Sequence, residues 1–168
     1  MVQLAALIGC QGLSEYRVML GAAPTAGVTP VEAREIVYQA VPYAGMGKVF
    51  DFLHATNDVL TERGVRLPLD GQATSTPATR AEEGRAVQEQ IVGADRVAGM
   101  YASAAEDELH FQRFLSANCF GDYLTRAGIG LRCASCSRSH CWRPSAGATL
   151  RSGGTWRPTS TSGTAGCR

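Results

Sequence analysis

Two groups of side chains carry chemistry by their type and spacing. The first is Cys133-x-x-Cys136-x-x-x-His140, followed at once by Cys141. On a helix this spacing lowers the first thiol's pKa and sets a histidine beside the pair as a proton shuttle. The same four side chains also form a zinc ligand set. The intervening Ala-Ser and Ser-Arg-Ser, then Trp142-Arg143-Pro144, give no amphipathic helix to hold either arrangement. The spacing is therefore read as coincidental, and no metal site is expected.

The second group lies in the first 64 residues. Glu15, on an apolar stretch, is a general acid or base if burial raises its pKa, and otherwise a partner for Arg17 in an ion pair. Glu35 lies one turn beyond Glu32 on a helix and faces either a site or an arginine. Tyr43, at the opening of the next helix, either orients a carboxylate through its hydroxyl or packs half-buried. His54 reads either as a base or, with Phe50, Phe52 and Leu53 around it, as a core or interface histidine. His110 has the same two readings, and the lone thiols Cys10 and Cys119 are expected to be reduced and buried.

These residues need helices to position them. Leu4, Leu7, Ile8, Leu13, Val18 and Leu20 form one helical stretch, weakened by Gly9 and Gly12. Thr29-Pro30-Val31-Glu32 is a strong helix start, with Thr29 as N-cap, Pro30 at the first helical position and Glu32 closing a capping box. That helix is expected to stop at Pro42. A third runs from about Met46 to Thr61, with Gly64 after its end. Val65–Thr76 reads as a loop or linker. Thr76-Pro77 opens a charged helix through about Ile91, and two more follow near Asp95–Ala102 and Glu106–Thr125. No strand pattern of useful length appears, so the fold class is all-α.

Composition divides the chain near Arg132. All fifteen acidic and eleven of the sixteen basic residues lie in residues 1–132. Residues 133–168 hold five Arg, no Asp or Glu, twelve Ser or Thr and a single Leu, too little apolar surface to offset the entropy of ordering. The overall charge of +1 lacks the basic footprint of a nucleic-acid binder. No apolar run approaches the roughly 18 residues that span a bilayer, and apolar Leu4–Ile8, with no basic segment before it and no cleavage site after it, is not expected to be a signal peptide. A soluble, cytoplasmic protein is expected.

The segment Ala26-Gly27-Val28-Thr29-Pro30-Val31-Glu32-Ala33-Arg34-Glu35-Ile36-Val37, followed by Val41-Pro42-Tyr43-Ala44-Gly45-Met46, resembles the carboxymuconolactone decarboxylase family. The match covers about Leu4–Leu60 and joins cap, helix and Tyr-Gly turn. The chain looks like the tandem-repeat members: residues 1–64 as the first repeat, 65–132 as linker and helices leading to an incomplete second, and 133–168 as a tail. Ser116 to Arg126 would lead into that second copy. Arg outnumbers Lys 15 to 1, as GC-rich coding gives, and one permitted shifted-frame back-translation of Cys133–Arg168 supplies the missing helix. The tail is accordingly read as a frameshift product.

The resemblance implies a helical, oligomeric alkylhydroperoxidase D-like bundle. It also implies cofactor-free decarboxylation of a small carboxylated lactone or, in the peroxidase branch, peroxide reduction by a Cys-x-x-Cys pair. Gly12 and Glu15 stand where that branch has its cysteines, and Met19 where the family often has histidine, so thiol chemistry is not expected in the first repeat. Decarboxylation leaves an enolate-like charge, which needs a positive or hydrogen-bonding group and an acid. Lys48 or Arg34 would hold the carboxylate, and Glu15 or His54 would move the proton. A non-catalytic helical module that associates with itself is the third expectation.

Overall fold

A computed structural model describes residues 1–130, and all its regular structure is helical, with no strand among the described residues. The helices are α1 (Val2–Gly9), α2 (Leu13–Ala22), α3 (Pro30–Ala44), α4 (Met46–Glu62), α5 (Arg80–Val92), α6 (Ala94–Ser103), α7 (Leu109–Phe114) and α8 (Leu115–Leu124). No helix among the described residues is long and apolar enough to cross a membrane.

The expected first helix is two. The chain breaks at Cys10–Gly12, where Gln11 takes φ 60° and the Gly12 N–H bonds back to the Leu7 carbonyl at 2.9 Å. Helix α3 begins as its sequence dictates: the Thr29 hydroxyl accepts from the Glu32 N–H at 3.2 Å, and the Glu32 carboxylate accepts from the Thr29 N–H at 2.8 Å. It does not stop at Pro42. The helix continues to Ala44, and Gly45, at φ 89°, ends it. A proline loses only one N–H bond, whereas a left-handed residue turns the chain out of the helix.

The core forms where α1–α4 meet. Leu4 and Ile8 of α1, Tyr16 and Leu20 of α2, Ile36 and Val37 of α3, and Val49 and Phe52 of α4 are all buried. Each such large side chain contributes about 1.5–3 kcal/mol of transfer free energy. Tyr16 meets Phe52 edge to face, 5.1 Å between centroids, and its hydroxyl lies 2.7 Å from the Thr56 hydroxyl. Thr56 spends its own proton on the Phe52 carbonyl at 2.7 Å, so Tyr16 donates. Burial pushes the Tyr16 phenol up to about 12, against the lowering effect of that hydrogen bond.

The second half joins through backbone contact. Helix α8 is wound wider than an α-helix, with i→i−5 bonds such as Thr125 N–H to Phe120 carbonyl at 3.2 Å. Helix α5 buries Gly84 against it. A Cβ on Gly84 would sit 2.5 Å from the Gly121 nitrogen and strike the Ser116 carbonyl, and one on Gly121 would strike the Arg80 carbonyl. The segment expected as a linker is held to this pair: Ser75 donates to the Gly121 carbonyl at 2.7 Å and Thr74 to the Thr125 carbonyl at 2.8 Å. The Thr76-Pro77 signal makes a turn, with the helix itself starting at Arg80. The helix expected from Glu106 starts at Leu109.

Candidate functional site

Helix α3 presents two polar side chains on an otherwise apolar inner face. Glu35 and Gln39 are both 2% exposed, among Ala33, Ile36, Val37 and Ala40. A carboxylate this deep needs a hydrogen-bonded counter-charge. Arg126, just after α8, supplies it: Nε donates to Glu35 Oε2 and Nη2 to Oε1, both at 2.8 Å. The Glu35 hydrogen bond, first among the causes, raises the guanidinium pKa above its already high ordinary value. Gln39 donates through Nε2 to the Tyr123 carbonyl, a second tie between α3 and α8. Gly128 closes over the pair, since a Cβ there would run into the Glu35 side chain.

Beside this pair lies a cavity of about 530 Å³. Val37, Tyr38 and Val41 of α3, and Met46, Val49, Phe50 and Leu53 of α4, form its walls. Asp122, Tyr123 and Arg126 give it one polar end. A mainly apolar space with a few convergent polar groups is the usual form of a small-molecule site. The Arg126 guanidinium also lies over the Tyr38 ring, 5.0 Å from its centroid. Glu35 takes Nε and Nη2, which leaves Nη1 for a ligand. Asp122 is held by Arg80 at 2.5 Å. Burial, reinforced by the Asp122 charge, raises the Tyr123 phenol against the opposing effect of Arg126. Tyr123 is therefore a neutral hydrogen-bond donor at physiological pH.

The residues singled out from sequence are scattered relative to this cavity. Glu35 anchors it from behind. Arg34 lines a small neighbouring pocket of about 60 Å³ with Glu35, Tyr38 and Arg126, bonds Asn57 at 2.6 Å, and keeps its buried Nε without a partner. Tyr43 is half-buried, its hydroxyl 3.3 Å from the Cys119 sulfur. Glu15 and Lys48 are exposed and line none of it. The burial that an acid or base at Glu15 requires is not found, and neither is its ion pair with Arg17, which pairs with Asp58 at 2.6 Å. His54 is exposed rather than in the core, packed edge-on against Phe50 at 4.8 Å. His110 is exposed as well, as is the Cys10 thiol, and only Cys119 is buried as expected. The Cys133, Cys136, His140 and Cys141 cluster and the tail reading lie outside the described residues.

Arg126, Tyr123 and Tyr38 were missed in the sequence. The available signal was the apolar face of α3: a glutamate between Ala33 and Ile36 on a buried stripe requires a distant cation. Comparison of the chain with known protein families, curated proteins and solved structures gives no match.

Proposed function

We propose that the protein binds a small carboxylated lactone in the cavity between α3, α4 and α8 and decarboxylates it without a cofactor. The activity is that of the carboxymuconolactone decarboxylases that the Gly27–Met46 segment resembles. One observation carries the reading: an apolar cavity ends on a guanidinium that a buried carboxylate fixes in place. Arg126 receives the acid end of the substrate, and the valine and leucine walls strip water from its carboxylate. Where the carboxyl-bearing ring carbon is alpha to the lactone carbonyl, directly or through a ring double bond, its bond to the carboxyl carbon then breaks, CO2 leaves, and the electron pair moves onto the carbonyl oxygen as an enolate. Tyr123 donates to the enolate oxygen and returns a proton to the carbon, and solvent at the open mouth restores its own. The exposed Cys10 thiol suits the reducing cytoplasm.

The test is CO2 release from a 13C-carboxyl-labelled γ-lactone acid, followed by NMR. Tyr123→Phe is expected to lower the rate by a factor on the order of 100 while leaving substrate binding in place. No release above buffer by the full chain overturns the reading.

A second reading, self-association, is favoured by Phe111 and Phe114 of α7, which are 64% and 63% exposed. Sedimentation is expected to find oligomers that Phe111→Ser with Phe114→Ser dissociates, and a monomer at all concentrations contradicts it.

A further inference from the structure

We infer that the small pocket between α3 and residues 69–71 holds a monovalent inorganic anion of about chloride size, bound through Nε of Arg34. Tyr38 and Arg126 line both this pocket and the larger cavity, but the inference does not depend on the reaction proposed there. Arg34, Glu35, Asp70 and Arg126 bring four charges to the small pocket. Glu35 spends both carboxylate oxygens on Arg126, so those two charges cancel. Asp70 is exposed, and water and salt screen it. Arg34 is the charge left over. It is half-buried and forms no ion pair among the described residues. Its Nη2 donates to the neutral Asn57 amide oxygen at 2.6 Å, and its buried Nε has no partner. A buried donor on a charged group is costly to leave unmade, and a charged acceptor makes roughly twice as strong a bond as a neutral one. A water molecule would satisfy Nε but leave the guanidinium charge unmatched, whereas an anion does both. The pocket, about 60 Å³, has room for about two waters, which suits a chloride and excludes a ring with a carboxyl group.

The test is NMR of the full chain labelled with 15N-arginine, titrated with sodium chloride. Sodium gluconate, whose anion is too large for the pocket, holds the ionic strength constant. The Arg34 Nε–H signal is expected to move along a saturating curve, and the Arg126 Nε–H signal to follow it with the same midpoint. In Arg34→Met, with folding checked by circular dichroism, the Arg126 response is expected to need at least about tenfold more chloride, the difference one good charge interaction makes. An Arg34 signal that stays put, or that drifts without saturating as the exposed Arg63 does, overturns the inference and leaves water as the occupant. A response that appears only in Asp70→Asn overturns it too, because the Asp70 carboxylate then closes on Arg34 itself. So does an Arg126 response undiminished in Arg34→Met.

Discussion

Glu35 and Arg126 lie 91 residues apart in the chain and meet as a two-point ion pair, with Glu35 2% exposed and the Arg126 side chain 17% exposed. The pair joins the four-helix core to the last described helix and holds a guanidinium at the end of the cavity. Buried pairs are asymmetric in their energetics: removing one member strands the other, whereas replacing both can be nearly neutral. Arg126→Met alone is expected to destabilise by about 3–5 kcal/mol. Glu35→Leu with Arg126→Met should recover most of that loss. Urea denaturation of both variants checks this, and equal losses in the two would contradict it.

The Gly84–Gly121 crossing has no room for a methyl group. Gly84→Ala is expected to cost about 1–3 kcal/mol or more by forcing α5 off α8. Gly99, inside α6 with open space around it, is the control. There Ala replaces a poor helix former and should stabilise by up to about 1 kcal/mol. Thermal melts of both variants against wild type read the sign.

Tyr16 makes the core sensitive to alkali. Its folded-state pKa of about 12 lies above the ordinary 10.0. Its contribution is therefore whole below pH 10 and is lost as pH rises from 10 toward 12. Urea midpoints between pH 8 and 11.5 are expected to fall in wild type and to flatten in Tyr16→Phe. That variant starts about 1–2 kcal/mol lower, because Thr56 loses its donor.

The capping box is the most local of the interactions. Thr29→Ala removes the acceptor for the Glu32 N–H and is expected to cost about 1 kcal/mol. Glu32→Gln should keep most of it, because the amide oxygen still accepts from the Thr29 N–H. Chemical denaturation separates the two variants.

What the sequence disclosed follows the range of each interaction. The Thr29–Glu32 cap, the Gly64 stop and the all-helical class depend on neighbours within one turn, and all were legible. The break at Cys10–Gly12 was signalled by two glycines but masked by the apolar periodicity on either side. The Pro42 stop failed because Gly45, three residues later, is the stronger terminator. The wide winding of α8 and the Gly84–Gly121 contact depend on the docking of α5, which no local pattern encodes. The same distance explains the site. Glu35 was visible as a glutamate on a buried face, but Arg126 follows an unremarkable Tyr-Leu-Thr run. Glu15 and His54 sat among apolar letters, yet their own positions on the helices turn them outward.

The central claim is that Arg126 receives the acid end of a ligand inside the α3–α4–α8 cavity. The direct measurement is NMR of the full chain labelled with 15N-arginine and with 13C at the Val, Leu and Met methyls, titrated with 3-phenylpropionate. The Arg126 guanidinium signals and the methyls of Val37, Val41, Val49 and Leu53 are expected to shift together along one saturating curve. Shifts confined to Arg34, Arg63 or other arginines, with the cavity methyls unmoved, would contradict it.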